Sequence, residues 1–164
     1  YRFGVWYDPQ PKPEFFGDSG GAARRIPIKR DDVGFYTSFD QLVFKENPDD
    51  DDTQGLGVFL KYGFAHAEVN ELEHFWSIGA QYKGLLPTRD EDVIGFGVAQ
   101  GVVSRFVERL GEIPRRETAL ELYYNIQVTP WLNVSPDFQV ILDPGGRGDG
   151  KDAFVVGLRV QASF

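Results

Sequence analysis

Several groups of residues in this chain have the types that site chemistry needs. Asp49-Asp50-Asp51-Asp52 offers carboxylate oxygens, the ligands a hard cation such as Ca²⁺ prefers. The spacing is not that of an EF-hand and no closing Glu follows, so the run reads as a solvated turn. His66 and His74, with Glu68, Glu71 and Glu73 between them, suggest a metal or acid–base site. They are read as one loop, without helical spacing and without a nucleophile, so loop decoration is the plainer reading. Gly145 to Lys151 matches the start of a phosphate loop, but Asp152 stands where Ser or Thr should hold Mg²⁺, and a strand follows instead of a helix. Within that segment Arg147-Gly148-Asp149 spells an adhesion-type tripeptide, read as a product of a Gly-rich loop. Paired carboxylates for glycoside hydrolysis cannot be assigned, because their separation is not visible in sequence. Nothing in these groups demands an enzyme, a metal or a cofactor.

Composition narrows the field further. The 164 residues hold 17 Lys+Arg against 25 Asp+Glu, a formal charge of -8, which argues against nucleic acid as a partner. With no Cys, disulfide scaffolds, thiolate metal sites and cysteine nucleophiles are excluded. The chain starts at Tyr1 and contains no Met, which points to a piece of a longer polypeptide. No run approaches the ~18 apolar residues that a membrane helix requires. That exclusion does not extend to barrels, whose strands escape hydropathy plots.

The elements that must position any site are strands. Aromatic residues make up 15% of the chain and Gly contributes 19 residues, a mixture suited to strands and tight turns. Apolar and polar residues alternate with period two along segment after segment. Phe154, Val156, Leu158, Val160, Ala162 and Phe164 oppose Val155, Gly157, Arg159, Gln161 and Ser163. Leu120, Leu122, Tyr124, Ile126 and Val128 oppose Glu121, Tyr123, Asn125, Gln127 and Thr129. Similar rows run through 132–143, 93–103, 76–83, 56–64 and 1–8. Residues 33–45 have strand composition with ambiguous facing. The pattern predicts eight strands, most about 8 to 13 residues long, and no helix.

The links between strands alternate in length. The stretch from Pro9 to Arg30 is long and rich in Pro and Gly, while Thr129-Pro130-Trp131 is very tight. Long outer loops and short inner turns are the habit of outer-membrane barrels. Glu46–Gln54 breaks the alternation, being nine residues long on the side where a short turn belongs. Two further features favour lipid against the apolar rows. Charged residues sit in the opposite rows at mid-strand, among them Lys61, Glu121, Asp137 and Arg159. Trp76, Tyr82, Trp131, Phe154 and Phe164 fall near strand ends, as an aromatic girdle would.

Glu117–Trp131, then Pro136–Gly146, resembles the C-terminal signature of the OprB-type carbohydrate-selective porins. Ala153–Phe164 looks like that family's last strand, ending on the Phe that the outer-membrane assembly machinery handles. Tyr82–Gly97 and Gln54–Phe59 are similar to further family segments, and Val5–Tyr7 and Phe35–Lys45 match less specifically. The resemblance implies an all-β, antiparallel transmembrane β-barrel of sixteen strands that lets sugars diffuse through the bacterial outer membrane. The eight strands here would be its C-terminal half, because half a sheet has two open edges and cannot stand alone in lipid. An eight-stranded barrel could close, but its interior would be filled by side chains.

On this reading the partners are mono- and oligosaccharides, outer-membrane lipids, the N-terminal half of the same barrel and the assembly machinery acting through Phe164. Assembly with further copies of the chain is left open. The residues expected to line the lumen and meet sugar are Arg2, Trp6, Lys61, Lys83, Glu121, Asn125 and Arg159, taken from strand facing. Trp6, Lys83, Glu121 and Arg159 are the favoured four, because they lie within strands. Two rivals remain: a soluble β-barrel or sandwich that binds a small ligand, with its apolar rows inside, and a barrel enzyme with His66 or His74 at its rim.

Overall fold

The structure is a computed structural model, and it describes residues 1–15, 27–47, 53–108, 116–146, 148, 150–163. Its strands are β1 (Arg2–Asp8), β2 (Lys12–Pro13), β3 (Ile28–Lys29), β4 (Asp32–Lys45), β5 (Gly55–Ala65), β6 (Leu72–Lys83), β7 (Val93–Val103), β8 (Arg116–Thr129), β9 (Leu132–Leu142) and β10 (Ala153–Ala162). Eight of them form one sheet in the order β1-β4-β5-β6-β7-β8-β9-β10, every neighbouring pair antiparallel. The short pair β2–β3 lies inside the link between β1 and β4. Two helical turns were not expected from the pattern. One is α1 (Arg105–Glu108), whose preceding Ser104 hydroxyl accepts the Phe106 amide as an N-cap. The other is a short 3₁₀ turn at Pro144–Gly146.

Cross-strand register places the apolar rows on one face. Phe39, Leu60, Ile78, Val98, Leu120, Val140 and Phe154 run in one line across β4 to β10. The facing of β4, ambiguous in sequence, is now defined: Val33, Phe35, Thr37 and Phe39 share the apolar face, and Gly34, Tyr36, Ser38 and Asp40 the polar one. A bulge between Leu42 and Phe44 explains the ambiguity, because it shifts the alternation by one and lets Phe44 contact the Tyr82 ring on the apolar side.

Nothing covers the apolar face among the described residues. Among the described residues the buried hydrophobic side chain is Ala67, in the β5–β6 turn, while Ile78, Leu122, Phe96 and Leu60 stay exposed on central strands and Val156 reaches 82%. The accessible surface is 11171 Å², against about 8,200 Å² for a compact monomer of this mass. A soluble sandwich would have put these rows inside. Between His74 and Tyr82 the face runs eight residues, about 27 Å along the strand, close to the ~25 Å apolar band of membrane barrels. No described helix is long and apolar enough to cross a membrane, a criterion that does not bear on strands. The strands β1 and β10 remain edges, each paired on one side.

The loops are tied down at both ends of the sheet. Asp32, 1% exposed, accepts Lys12 Nζ at 2.6 Å and Asn70 Nδ2 at 2.9 Å, and the Phe15 amide donates to the Glu68 carbonyl. These bonds hold the β1–β4 link against the β5–β6 turn. At the other end Asp92, 4% exposed, accepts Arg89 through two nitrogens (2.7 and 3.0 Å), the Tyr124 hydroxyl (2.5 Å) and the Gln127 amide (2.9 Å). That amide lies just beyond the Val93–Asn125 pair that ends the β7–β8 ladder, and the carboxylate takes the place of the next strand partner. Burial pushes the Asp92 carboxyl up, but the bonds from Tyr124, Arg89 and Gln127 outweigh it and hold it below its ordinary value.

A carboxyl with a lowered native pKa stabilises at neutral pH and loses that contribution as pH falls through the acid side of the carboxylate range. Amide exchange of Gln127, and of Gly84, whose amide donates to the Asp92 carbonyl at 2.9 Å, should therefore be equally protected in the intact protein at pH 5 and pH 7. Asp92→Asn should speed it about tenfold or more at both pH values, as expected for lost charge-assisted bonds. Unchanged protection in the variant would refute the clasp.

Candidate functional site

The polar face carries the side chains that could meet a solute, and glycines shape it. Four aromatic residues lie flat on the glycine directly across the ladder: Tyr36 on Gly4, Trp6 on Gly34, Phe59 on Gly79 and Tyr123 on Gly95. A Cβ at any of these glycines would come within 2.4–2.5 Å of the opposing ring, so the glycine is what lets the ring lie down. Three of the rings have a cation above them. Lys12 Nζ is 5.9 Å from the Trp6 ring, Lys61 Nζ 5.7 Å from Phe59, and the Arg159 guanidinium 5.9 Å from Tyr123.

Arg159 is the centre of a charged network. Its Nη2 donates to Glu121 and its Nε to Asp137 at 3.3 Å, while Gln139 Nε2 donates to the other Asp137 oxygen at 3.2 Å. The Asp137 side chain is almost wholly buried, seated against Gly157, where a Cβ would stand 2.4 Å from the carboxylate. Tyr123 reaches past its glycine to donate to Gln81 Oε1 at 3.0 Å. The face can therefore present flat apolar rings, amide groups and opposite charges side by side, a set that hydrogen-bonds and stacks.

The chain as a whole can now be compared with known proteins. The family model described as "Carbohydrate-selective porin, OprB family" matches residues 1–164. The chain belongs to the OprB family of carbohydrate-selective porins. Porin B of Pseudomonas aeruginosa is 27% identical over 187 residues, covering 100% of this chain and 41% of that protein. Porin AaxA of Chlamydia pneumoniae is 26% identical, covering 66% of this chain and 25% of its own length. A high-pH structure of Pseudomonas putida OprB superposes with a TM-score of 0.86 at 27% identity, covering 99% of this chain and 44% of that one. The chain thus spans about two-fifths of Porin B and of the Pseudomonas putida OprB chain, and its match to Porin AaxA covers a quarter of that protein. Its open sheet is part of an antiparallel OprB-type barrel.

Of the residues expected at the site, all seven fall on the polar face of this OprB-family chain, but not together. Glu121 and Arg159 are joined, as described. Trp6 stands at the other edge of the sheet, between Gly34 and Lys12, and Arg2 pairs across from Ser38. Asn125 shares its row with Lys83 and Gly55 near the sheet end. Lys83 lies within a strand as expected, but at its very end. It is the last residue of β6, and its ammonium is held by Glu91 at 2.7 Å and Thr53 Oγ1 at 2.7 Å, both in turns.

The other motifs resolve as well. His74 is not in a loop with His66 but on β6, facing the apolar side, where its Nδ1 meets the Tyr62 hydroxyl at 2.8 Å. No described cluster of His, Asp and Glu could hold a metal. The phosphate-loop likeness fails because its amides are already filled: Gly145 donates to Glu117 (2.6 Å) and Gly148 to Asp143 (2.7 Å). Asp49–Asp52, Arg147, Asp149 and Phe164 lie outside the described residues. Sequence reasoning passed over Asp40, because the facing of β4 was unclear. Phe59 and Gln81 belong to the alternating segments 56–64 and 76–83, and period two alone does not single them out.

Replacing Asp137 by Asn should shift the reversal potential of the reconstituted full-length porin toward anions, because a wall charge beside Arg159 is lost. Stability should fall by about 1–3 kcal/mol, because the buried carboxylate is what Arg159 and Gln139 donate to. A reversal potential identical to the parent's in a salt gradient would show that this network does not face the permeation path.

Proposed function

We propose that this chain is the C-terminal half of an outer-membrane porin that passes sugars such as glucose by passive diffusion, and that its polar face lines the water-filled lumen. The observation that carries the reading is the polar face itself. A sheet with lipid-length apolar rows on one side bears flat aromatic rings and paired charges on the other. Family membership supports it. The N-terminal half of the same barrel supplies the strands that β1 and β10 need, since an open ladder edge is untenable in hydrocarbon. Selectivity resides in the wall, the driving force is the sugar gradient, and no covalent step or cofactor is required. Glu121 and Arg159 are the wall residues we assign to sugar contact, with Trp6, Lys61, Arg2 and Asn125 as further lumen groups. Lys83 belongs to the rim. Phe164 serves the assembly machinery, and the apolar face meets outer-membrane lipid.

The full-length porin should raise glucose uptake into liposomes, and glucose should partly block its ion current in planar bilayers. Glu121→Gln and Arg159→Ala should each weaken that block several-fold, about the effect of 1 kcal/mol. A current insensitive to every sugar would make the protein a general porin. A block insensitive to both substitutions would remove these two residues from the sugar path while leaving the function intact.

A further inference from the structure

The polar face holds a hollow that none of the residues above explains. It measures about 350 Å³ and is lined by Asp40, Leu42, Gly57, Phe59 and Gln81. Register makes it a compact patch of two adjacent rows across three strands. Leu42, Gly57 and Gln81 form one row, and Asp40, Phe59 and Gly79 the next. The hollow exists because Gly57 has no side chain: a Cβ there would meet only Gln81 at 3.6 Å and the Gln41 carbonyl at 3.8 Å. Its floor is the Phe59 ring, laid on Gly79 with Lys61 Nζ over it. Phe59 is the fifth of the eleven residues of β5, so the patch lies near mid-height of the sheet.

Its chemistry is that of a polyol with one apolar side. The ring face accepts a patch of C–H bonds. Asp40 is held only by the Ser38 hydroxyl at 3.3 Å among the contacts described, with no cation against it among the described residues, so its oxygens can accept hydroxyls with charge-assisted strength. Gln81 offers an amide that already takes the Tyr123 hydroxyl and retains donors. Lys61 covers the ring at 5.7 Å, and an exposed cation–π contact of about 0.5–1 kcal/mol is weak enough to yield. From this set we infer that the hollow is a subsite for one neutral pyranose ring, stacked on Phe59 with adjacent hydroxyls on Asp40 and Gln81.

The subsite rests on the porin reading but uses residues separate from Glu121 and Arg159, so the two can fail separately. The test is glucose block of the ion current through the intact porin in planar bilayers. Phe59→Leu and Gly57→Leu, which fills the hollow and leaves the ring in place, should each raise the half-blocking glucose concentration at least about fivefold through faster release, while the sugar-free ion selectivity stays as in the parent. Asp40→Asn, a near-isosteric change at the wall, should raise it as well. Parent channels blocked by glucose and variants blocked within about twofold of the parent would overturn the subsite and leave the porin reading standing. Parent channels that no sugar blocks would overturn both. Gly57→Leu and Asp40→Asn keep the proposal testable if Phe59→Leu does not fold, since neither disturbs the ring on Gly79.

Discussion

Every strand of this sheet depends on backbone hydrogen bonds that must be closed by a neighbouring strand, because hydrocarbon offers no water to an unpaired N–H or C=O. That requirement explains why the ladders are long and nearly unbroken. The order is sequential apart from the small β2–β3 pair inside the first link, so each strand of the sheet pairs with the next strand of that sheet along the chain. Where the ladder does break, side chains step in. Asp92 takes the Gln127 amide just beyond the end of the β7–β8 ladder, and Ser104 caps the turn α1 while donating to the Ala67 carbonyl. The open edges at β1 and β10 state the same rule in reverse, since they are ladders awaiting partners.

Once pairing is guaranteed by the backbone, the two faces are free to serve different solvents. The apolar face needs only to be apolar, and several of the polar groups on it pair with one another. Trp76 donates to Gln100, which donates to Thr118, across three strands near one end of the band, and Tyr62 pairs with His74 beside them. Unpaired, each group would carry the cost of a lone polar group in an apolar surround. The polar face has the opposite task of presenting groups without closing the path. Glycine answers it by leaving room for rings to lie flat, so that Trp6, Phe59 and Tyr123 add chemistry without projecting far from the wall.

The loops show how much charge goes into anchoring. Lys12 bridges Asp8 and Asp32 while lying over Trp6, and Lys83 joins Thr53 and Glu91. Such pairs look like candidate sugar contacts in a list of lumen charges, yet their donors are already engaged. By contrast Lys61 meets only an aromatic ring among the contacts described, and Asp40 only a serine. The difference between an anchored and an available charge is set by loops that approach from elsewhere in the chain.

The sequence by itself determined which side chains share a face, because period two is a local property of each strand. It also carried the all-β class, the apolar rows that stand against lipid and the family likeness. Facing was lost only in β4, where the bulge after Leu42 breaks the period. Tertiary structure decided which residues of that face meet. Glu121 and Arg159 are separated by 38 positions, and only the pairing of β8 with β9 and β9 with β10 brings them together. Phe59 rests on Gly79 for the same reason, and Lys83 is removed to the rim by a turn residue, Glu91. Register between strands depends on turn lengths and bulges acting at a distance, so a one-residue change in any of them would assemble a different wall from the same rows.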